Sequence, residues 1–215
     1  MRIKLLFFGI LVLIMTGCTT TSIRYDYAAF RASDPLSILV VPVVNNSVNV
    51  DAPDYFLSTI SEPVAERGFY VYPVNLVKNI MEQDGLSDAN MVHEADTTRL
   101  ANLFGADSVL YITIDRWDAK YVLLTTTVTV RFEYLLKDGK TGEELWRSAE
   151  TMVYNPDSSN DSMLVMLIEA AVTKAAPNYM PLARQANQNA VIRAGKGLPA
   201  GPYNINFYQK DTDRY

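Results

Sequence analysis

Between Ser108 and Tyr154 the side chains change character at every second position, over a stretch long enough for several strands. Leu110, Ile112 and Ile114 alternate with Tyr111, Thr113 and Asp115, and Val128, Val130, Phe132 and Tyr134 alternate with Thr127, Thr129, Arg131 and Glu133. Successive side chains of a strand point to opposite faces, so this pattern belongs to strands with one apolar face. The turn cluster Asp138-Gly139-Lys140-Thr141-Gly142-Glu143 separates two such runs. The spacing predicts antiparallel strands over 108–117, 122–136 and 145–154, the last two joined as a hairpin. A meander of this kind must be covered on its apolar face by the rest of the chain.

Upstream the period changes. Ile38-Leu39-Val40-Val41-Pro42-Val43-Val44 is continuous, apolar and β-branched, bounded by Pro35 and Asn45-Asn46-Ser47. It suits a strand buried on both faces, ending or bulging at Pro42, which has no N–H for a ladder. Asp54 is the expected cap of a helix to Arg67 that carries Phe56, Leu57, Ile60 and Val64, with Pro63 as a kink and Gly68 as the stop. A short strand follows over 69–72, then a helix over 74–83 opened by Pro73, then one capped by Asp96 or Thr97 and closed by Gly105. After the meander, 159–176 reads as a helix and 182–192 as a weaker one, separated by Pro177 and Pro181. The order β-α-β-α-α-β-β-β-α predicts an α/β sandwich of two or three layers. Its mixed sheet has early β-α-β units and then the antiparallel three-strand meander, with helices packed on it. Residues 38–194 form one domain on this reading, and 195–215 a C-terminal loop or tail.

The amino terminus is of another kind. Arg2 and Lys4 precede an apolar run of eleven residues, Leu5 to Met15, and then Thr16-Gly17-Cys18. That is the layout of an export signal over 1–17, and it falls short of the roughly 20 residues that a spanning helix needs. Met15-Thr16-Gly17-Cys18 resembles the lipobox of bacterial lipoproteins. The resemblance implies cleavage after Gly17, diacylation of the Cys18 thiol and acylation of the new amine, and it makes Cys18 the lipid attachment site. Three acyl chains exceed the two signals that stable membrane anchoring takes. Thr19, rather than Asp, in the next position implies by resemblance to Gram-negative sorting rules an outer-membrane lipoprotein whose body faces the periplasm. Residues 18–37, with Ser, Thr and Asp clusters and little periodicity, read as a flexible tether. Loss of Arg2 and Lys4 leaves 198 residues with 17 cations against 24 carboxylates, a charge of −7.

That charge disfavours nucleic acid as a partner. One cysteine and one histidine in the whole chain exclude a disulfide within it and a Cys/His zinc cage, and we expect no catalytic, cofactor or metal site and no enzyme activity. The weaker candidates are His93 with Asp88, Glu94 and Asp96 as metal ligands; Gly139-Lys140-Thr141 as a phosphate loop, which lacks both the earlier glycine and the following helix and reads better as a hairpin turn; and the loop Asn45 to Asp51, just past the first strand, where α/β sheets place ligands. Glu143-Glu144 and Asp115 with Asp118 do not read as a catalytic carboxylate pair, since neighbours on a strand face opposite ways. Of 13 tyrosines, Tyr25 and Tyr27 fall in the tether, where an interface is the natural use of an aromatic ring with a polar tip; the others read equally as sheet margins.

Three segments carry a wider resemblance: Ser37 to Pro42 with Asn45-Asn46-Ser47, Pro63 to Val74 around Glu66-Arg67-Gly68-Phe69-Tyr70, and Phe104-Gly105-Ala106-Asp107-Ser108-Val109-Leu110-Tyr111. Asp138 through Thr141-Gly142 to Leu145-Trp146, and Gly201-Pro202-Tyr203, fit it too. Together they resemble a family of bacterial outer-membrane lipoproteins of unknown function, Phe69 standing where that family often has tyrosine. The resemblance implies a fold like the amino-terminal domain of TolB and the periplasmic domain of CsgG. It also implies a non-enzymatic accessory or adaptor in a CsgG-like secretion or envelope-assembly system, with a CsgG-like lipoprotein or other envelope proteins as partners and self-association as an option. The alternative reading is a small-ligand-binding lipoprotein or cryptic hydrolase that uses the 45–51 loop with carboxylates from 88–96.

Overall fold

The alternation across the meander becomes three long strands, β4 (Ser108–Val122), β5 (Thr125–Asp138) and β6 (Glu144–Tyr154), paired antiparallel. The computed structural model describes residues 25–122, 125–154, 179–204 and 211; the helix expected over 159–176 lies outside them. Ile112 stands opposite Tyr134, and Tyr134 opposite Ser148. An irregularity between Ile114 and Arg116 shifts the phase by one residue, which returns Trp117 to the core shared by Leu110, Ile112 and Ile114.

The apolar run 38–44 divides at its proline as expected. β1 (Ser37–Val40) and β2 (Val44–Asn45) both pair in parallel with β4, with Pro42 between them. β3 (Tyr70–Val71) lies parallel to β1, giving the order β3-β1-β4-β5-β6 with β2 also on β4.

Helices cover both faces, so the sandwich has three layers. On one side α1 (Ala28–Ser33), α2 (Ala52–Glu66) and α6 (Met180–Ile192) contribute Phe30, Phe56, Ile60, Leu182 and Ala186 to a core with Ile38, Val40, Leu110, Phe132, Tyr134 and Trp146. On the other, α3 (Val74–Gln83), α4 (Ala89–Glu94) and α5 (Thr97–Phe104) bring Val77, Met81, Val92 and Leu100 against Leu39, Val41, Val109 and Tyr111. Odd and even residues of β1 and β4 divide between the two cores, as the two-residue period of a strand requires.

Local signals place the helix ends with small shifts. α2 starts after Asp51 rather than at Asp54, which instead lies in the first turn and pairs with Lys78 at 3.2 Å. Asp96 is the cap of α5 and accepts from the amides of Thr98 and Arg99. The short α4, not anticipated, is capped by Asp88, which accepts from Asn90 N. Inside the larger core Asn187 is fully buried; its amide donates to Phe56 O at 3.0 Å and Thr59 Oγ1 at 2.8 Å, and its carbonyl accepts from the Tyr134 hydroxyl.

Both expected chain ends need correction. The tether expected through residue 37 is folded from Tyr25 onward: Tyr27 and Phe30 are buried in the core, and Phe30 meets Phe69 edge to face at 6.2 Å. Within the loop or tail expected over 195–215, the described residues 195–204 and 211 pack as well. Leu198 and Ala200 are buried, and the Asp211 carboxylate pairs with the guanidinium of Arg67 and accepts from Ala200 N. Gly201 passes so close to Gly68 that a β-carbon on it would stand 2.4 Å from Gly68 O, so no larger residue fits there.

Candidate functional site

Polar side chains of the sheet hold the segment that enters the fold at Tyr25. After α1, Asp34 takes a left-handed conformation (φ 44°) and turns the chain toward Pro35 and β1. The Asp107 carboxylate then accepts from Leu36 N, Ser37 N and the Ser37 hydroxyl at 2.8 to 3.2 Å, and the Ser108 hydroxyl donates to Ser37 O at 2.8 Å. Asp138, at the far end of β5, accepts from the Ser33 hydroxyl at 2.6 Å while its other oxygen accepts from Lys140 N and Thr141 N at 2.8 Å. Partial burial works against the charged form of Asp138, but these bonds outweigh it and hold its pKa below the usual aspartate value. One carboxylate thus organises the hairpin turn and fixes the incoming chain.

Gly139-Lys140-Thr141 is that turn and no phosphate loop. A β-carbon on Gly139 would stand 2.7 Å from Ala106 O, and the positive φ of the turn (73°) falls on Gly142. Ser37, Asp107, Ser108, Asp138, Gly139 and Gly201, all within segments quoted for the family resemblance, therefore serve the framework.

The first contact of the entering chain is Tyr25. Its hydroxyl donates to Glu144 Oε1 at 3.1 Å, and burial, followed by the bond to and charge of Glu144, pushes its pKa up to about 12. Its ring lies 4.9 Å from Tyr27, whose hydroxyl donates to Gly197 O at 2.8 Å; Trp146 Nε1 donates to Lys196 O at 2.9 Å. The entry point, the start of β6 and the turn after α6 are thereby drawn together. A cleft of about 230 Å³ opens there, lined by Tyr25, Arg147, Glu150, Arg193 and Lys196 among others. Arg147 pairs with Glu144 at 2.8 Å, and Arg193 with the nearly buried Glu150 at 2.6 Å. The hydrogen bond from Arg147, partly opposed by burial, keeps the Glu144 carboxyl below the usual range. Sequence reading placed Tyr25 and Tyr27 in a tether and passed over Arg147, Arg193 and Lys196; residues so far apart in the chain carry no shared motif.

The residues of the rival site lie near one another, His93 reaching Pro42, but several of their side chains are engaged locally. In the 45–51 loop, Asn45 Oδ1 accepts from the amide and hydroxyl of Ser47, Asn45 Nδ2 donates to Asn49 O, and Asn49 Oδ1 accepts from Asp51 N. These side chains close their own turns and leave Val48 and Val50 exposed. Asp88 and Asp96 are occupied as helix caps. His93, the imidazole of the candidate metal set, sits half-buried on α4, donates from Nε2 to Pro42 O at 2.9 Å and meets the Tyr111 ring edge to face at 5.1 Å. Burial lowers its pKa, with the Pro42 bond opposing and Lys137 reinforcing the shift. No group of three or more His, Cys, Asp or Glu that could hold a metal occurs among the described residues. Asp118 pairs with Arg116 at 2.6 Å rather than with Asp115.

A family model described as "Putative lipoprotein GNA1162-like" matches residues 25–203, the span that begins at the anchored tyrosine and ends beside Gly68. The chain belongs to the GNA1162-like family. It is 32% identical over 197 residues to "Putative lipoprotein NMB1124/NMB1162" of Neisseria meningitidis serogroup B (strain ATCC BAA-335 / MC58), across 89% of this chain and 92% of that one. The crystal structure of lipoprotein GNA1162 from Neisseria meningitidis is similar with a TM-score of 0.56 and 35% identity, covering 64% of this chain and 96% of that one. A PelC dodecamer from Paraburkholderia phytofirmans gives a TM-score of 0.40 and 19% identity over 68% and 87%, too little to bear on how this chain assembles. No helix among the described residues of this GNA1162-like chain is long and apolar enough to cross a membrane.

Proposed function

We propose that this GNA1162-like lipoprotein is a non-enzymatic, lipid-anchored protein of the outer membrane, acylated at Cys18 after cleavage behind Gly17. Its body faces the periplasm and works as an accessory or adaptor of a CsgG-like secretion or envelope-assembly system. The observation that carries the reading is the fixed entry at Tyr25, only seven residues after Cys18. A chain extends at most about 3.3 to 3.6 Å per residue, so Tyr25 stands no more than roughly 25 Å from the acylated residue. A tether through residue 37 would have allowed more than twice that. A body on so short a leash is a surface fixture suited to docking neighbours at one height. Two further facts agree with this: the side chains proposed for chemistry are occupied in caps and turns, and the lipoprotein description is shared by the relatives.

The test has two parts. Cys18→Ala should give a folded protein that leaves the membrane in a high-salt wash; its recovery with membranes would sink the anchor. Crosslinking in cells, followed by mass spectrometry of the detergent-extracted protein, should recover an envelope protein. A clean monomer or homo-oligomer would remove the adaptor role.

A further inference from the structure

The cleft beside Tyr25 has a charge balance unlike that of the chain around it. Arg147, Arg193 and Lys196 line it against a single carboxylate of the lining, Glu150, while Glu144 and Glu133 stand beyond Arg147 and pair with it, so that the cluster is neutral and Lys196 is its cation without an ion pair among the described residues. The processed chain as a whole carries −7. The two arginines are held in place by their partners, whereas the exposed Lys196 ammonium forms no ion pair among the described residues. The backbone below it is rigidly tied, since Lys196 O accepts from Trp146 and Gly197 O from Tyr27. A fixed platform therefore presents these three cations at the point where the chain enters the fold.

The leash decides what such a platform meets. With Tyr25 within roughly 25 Å of Cys18, the end of the body that carries the cleft is the end nearest the lipid, and the 400 Å³ groove of Leu86, Leu100 and Leu103 belongs to the opposite face of the sheet. Surface charge acts over a Debye length of about 8 Å at physiological salt, so a cation without an ion pair, such as Lys196, meets lipid phosphates only at the end of the body nearest the bilayer. Resting on the anchor at Cys18, we propose that the Tyr25 cleft is the membrane-facing end of the protein and that Lys196, with Arg193 and Arg147 flanking it, binds the phosphates of anionic phospholipids in the leaflet that holds the acyl chains. Arginine gives the planar fork that phosphate accepts, and lysine a mobile point charge. The contact fixes orientation, because an acyl anchor alone leaves the body free to turn.

The experiment uses the full acylated protein in vesicles of phosphatidylcholine alone or mixed with phosphatidylglycerol, read by amide hydrogen exchange. Mass spectrometry first establishes the acyl groups on Cys18; their absence would remove the anchor and this proposal together. With acylation present, amides of 144–150 and 193–198 should exchange several-fold more slowly on the anionic vesicles than on the neutral ones, and the difference should vanish in high salt. Lys196→Glu should abolish it without lowering the melting temperature, since Lys196 has no ion pair to lose among the described residues, and Arg99→Glu on α5, across the sheet, should leave it intact. Equal exchange on both vesicles, or slowing confined to another face, would overturn the proposal while the anchor stands. Slowing of the same amides by a bound protein in native envelopes but not by anionic vesicles would assign the cleft to a protein partner instead, and overturn the lipid assignment.

Discussion

The two faces of the sheet solve the same problem with different materials. The face under α1, α2 and α6 is aromatic and polar within: Phe56 sits 5.6 Å from Trp117 and 5.2 Å from Phe132, and the fully buried Asn187 is bonded on every side. The face under α3, α4 and α5 is smaller and largely aliphatic, built on Leu39, Val77, Met81, Val92 and Leu100. Both ends of the described chain, Tyr25 and Asp211, are secured on the aromatic side. The difference teaches that the side carrying the attachment is the more highly specified one, with large rings and directed hydrogen bonds where the other has interchangeable methyl groups.

Substitutions can break that contrast in order of size. Phe56→Ala should cost about 3 to 5 kcal/mol and Met81→Ala, across the sheet, toward the lower end of the 2 to 5 kcal/mol typical of buried aliphatic truncations; urea melts of the two variants make the comparison, and equal losses would erase it. Asp211→Ala takes the carboxylate from the buried guanidinium of Arg67, leaving it the bond from Nε to Leu198 O, and should cost about 3 kcal/mol, read as a fall in melting temperature that Arg67→Met in the same chain largely reverses. Asn187→Ala leaves the Tyr134 hydroxyl and Phe56 carbonyl without their partner and should cost about 2 kcal/mol. Pairing it with Tyr134→Phe should give a loss smaller than the sum.

The smallest effect lies on the aliphatic face and depends on pH. Burial lowers the His93 pKa in the fold, so below the free-histidine value of about 6.5 the unfolded chain takes up a proton that the native one resists. Stability should therefore decline as pH falls from about 6.5, and His93→Gln should flatten that slope in denaturation series. Asp138 adds a separate acid limb of the same sign, because its depressed pKa stabilises the fold above the ordinary aspartate value of about 4 and the benefit is lost as pH drops through the lower, native one.

The sheet was legible because its signal is local. Alternation over 108–154 and the interrupted run at Pro42 state which residues share a face, and the observed cores divide along that reading. Helix limits shifted by a few residues, as where α2 starts after Asp51, which makes no side-chain capping bond, rather than at Asp54. Residues 25–37 and 195–204 were misread because they hold few apolar residues at irregular spacing; Tyr27, Phe30 and Leu198 are buried only by what lies far away in sequence. The candidate site was hidden for the same reason. Arg147 and Arg193 are 46 positions apart, and the bonds of Asp107 to Ser37 span 70 residues. The family pattern includes Asp107 but carries no sign of what its carboxylate does.

The Asp107 and Asp138 bonds also settle how the protein would bear a load. Tension arriving along the leash meets Tyr25 and Tyr27 first, then the Ser33 bond to Asp138, then the three donors of Leu36 and Ser37 on Asp107. Only beyond these does it reach β1, which runs in parallel between β3 and β4. A strand drawn along its own axis from the interior of a sheet loads its hydrogen bonds together, in shear, instead of unzipping them singly from an edge. The body would hold its shape under traction until several bonds fail at once, a useful property for the lipid-anchored fixture proposed above.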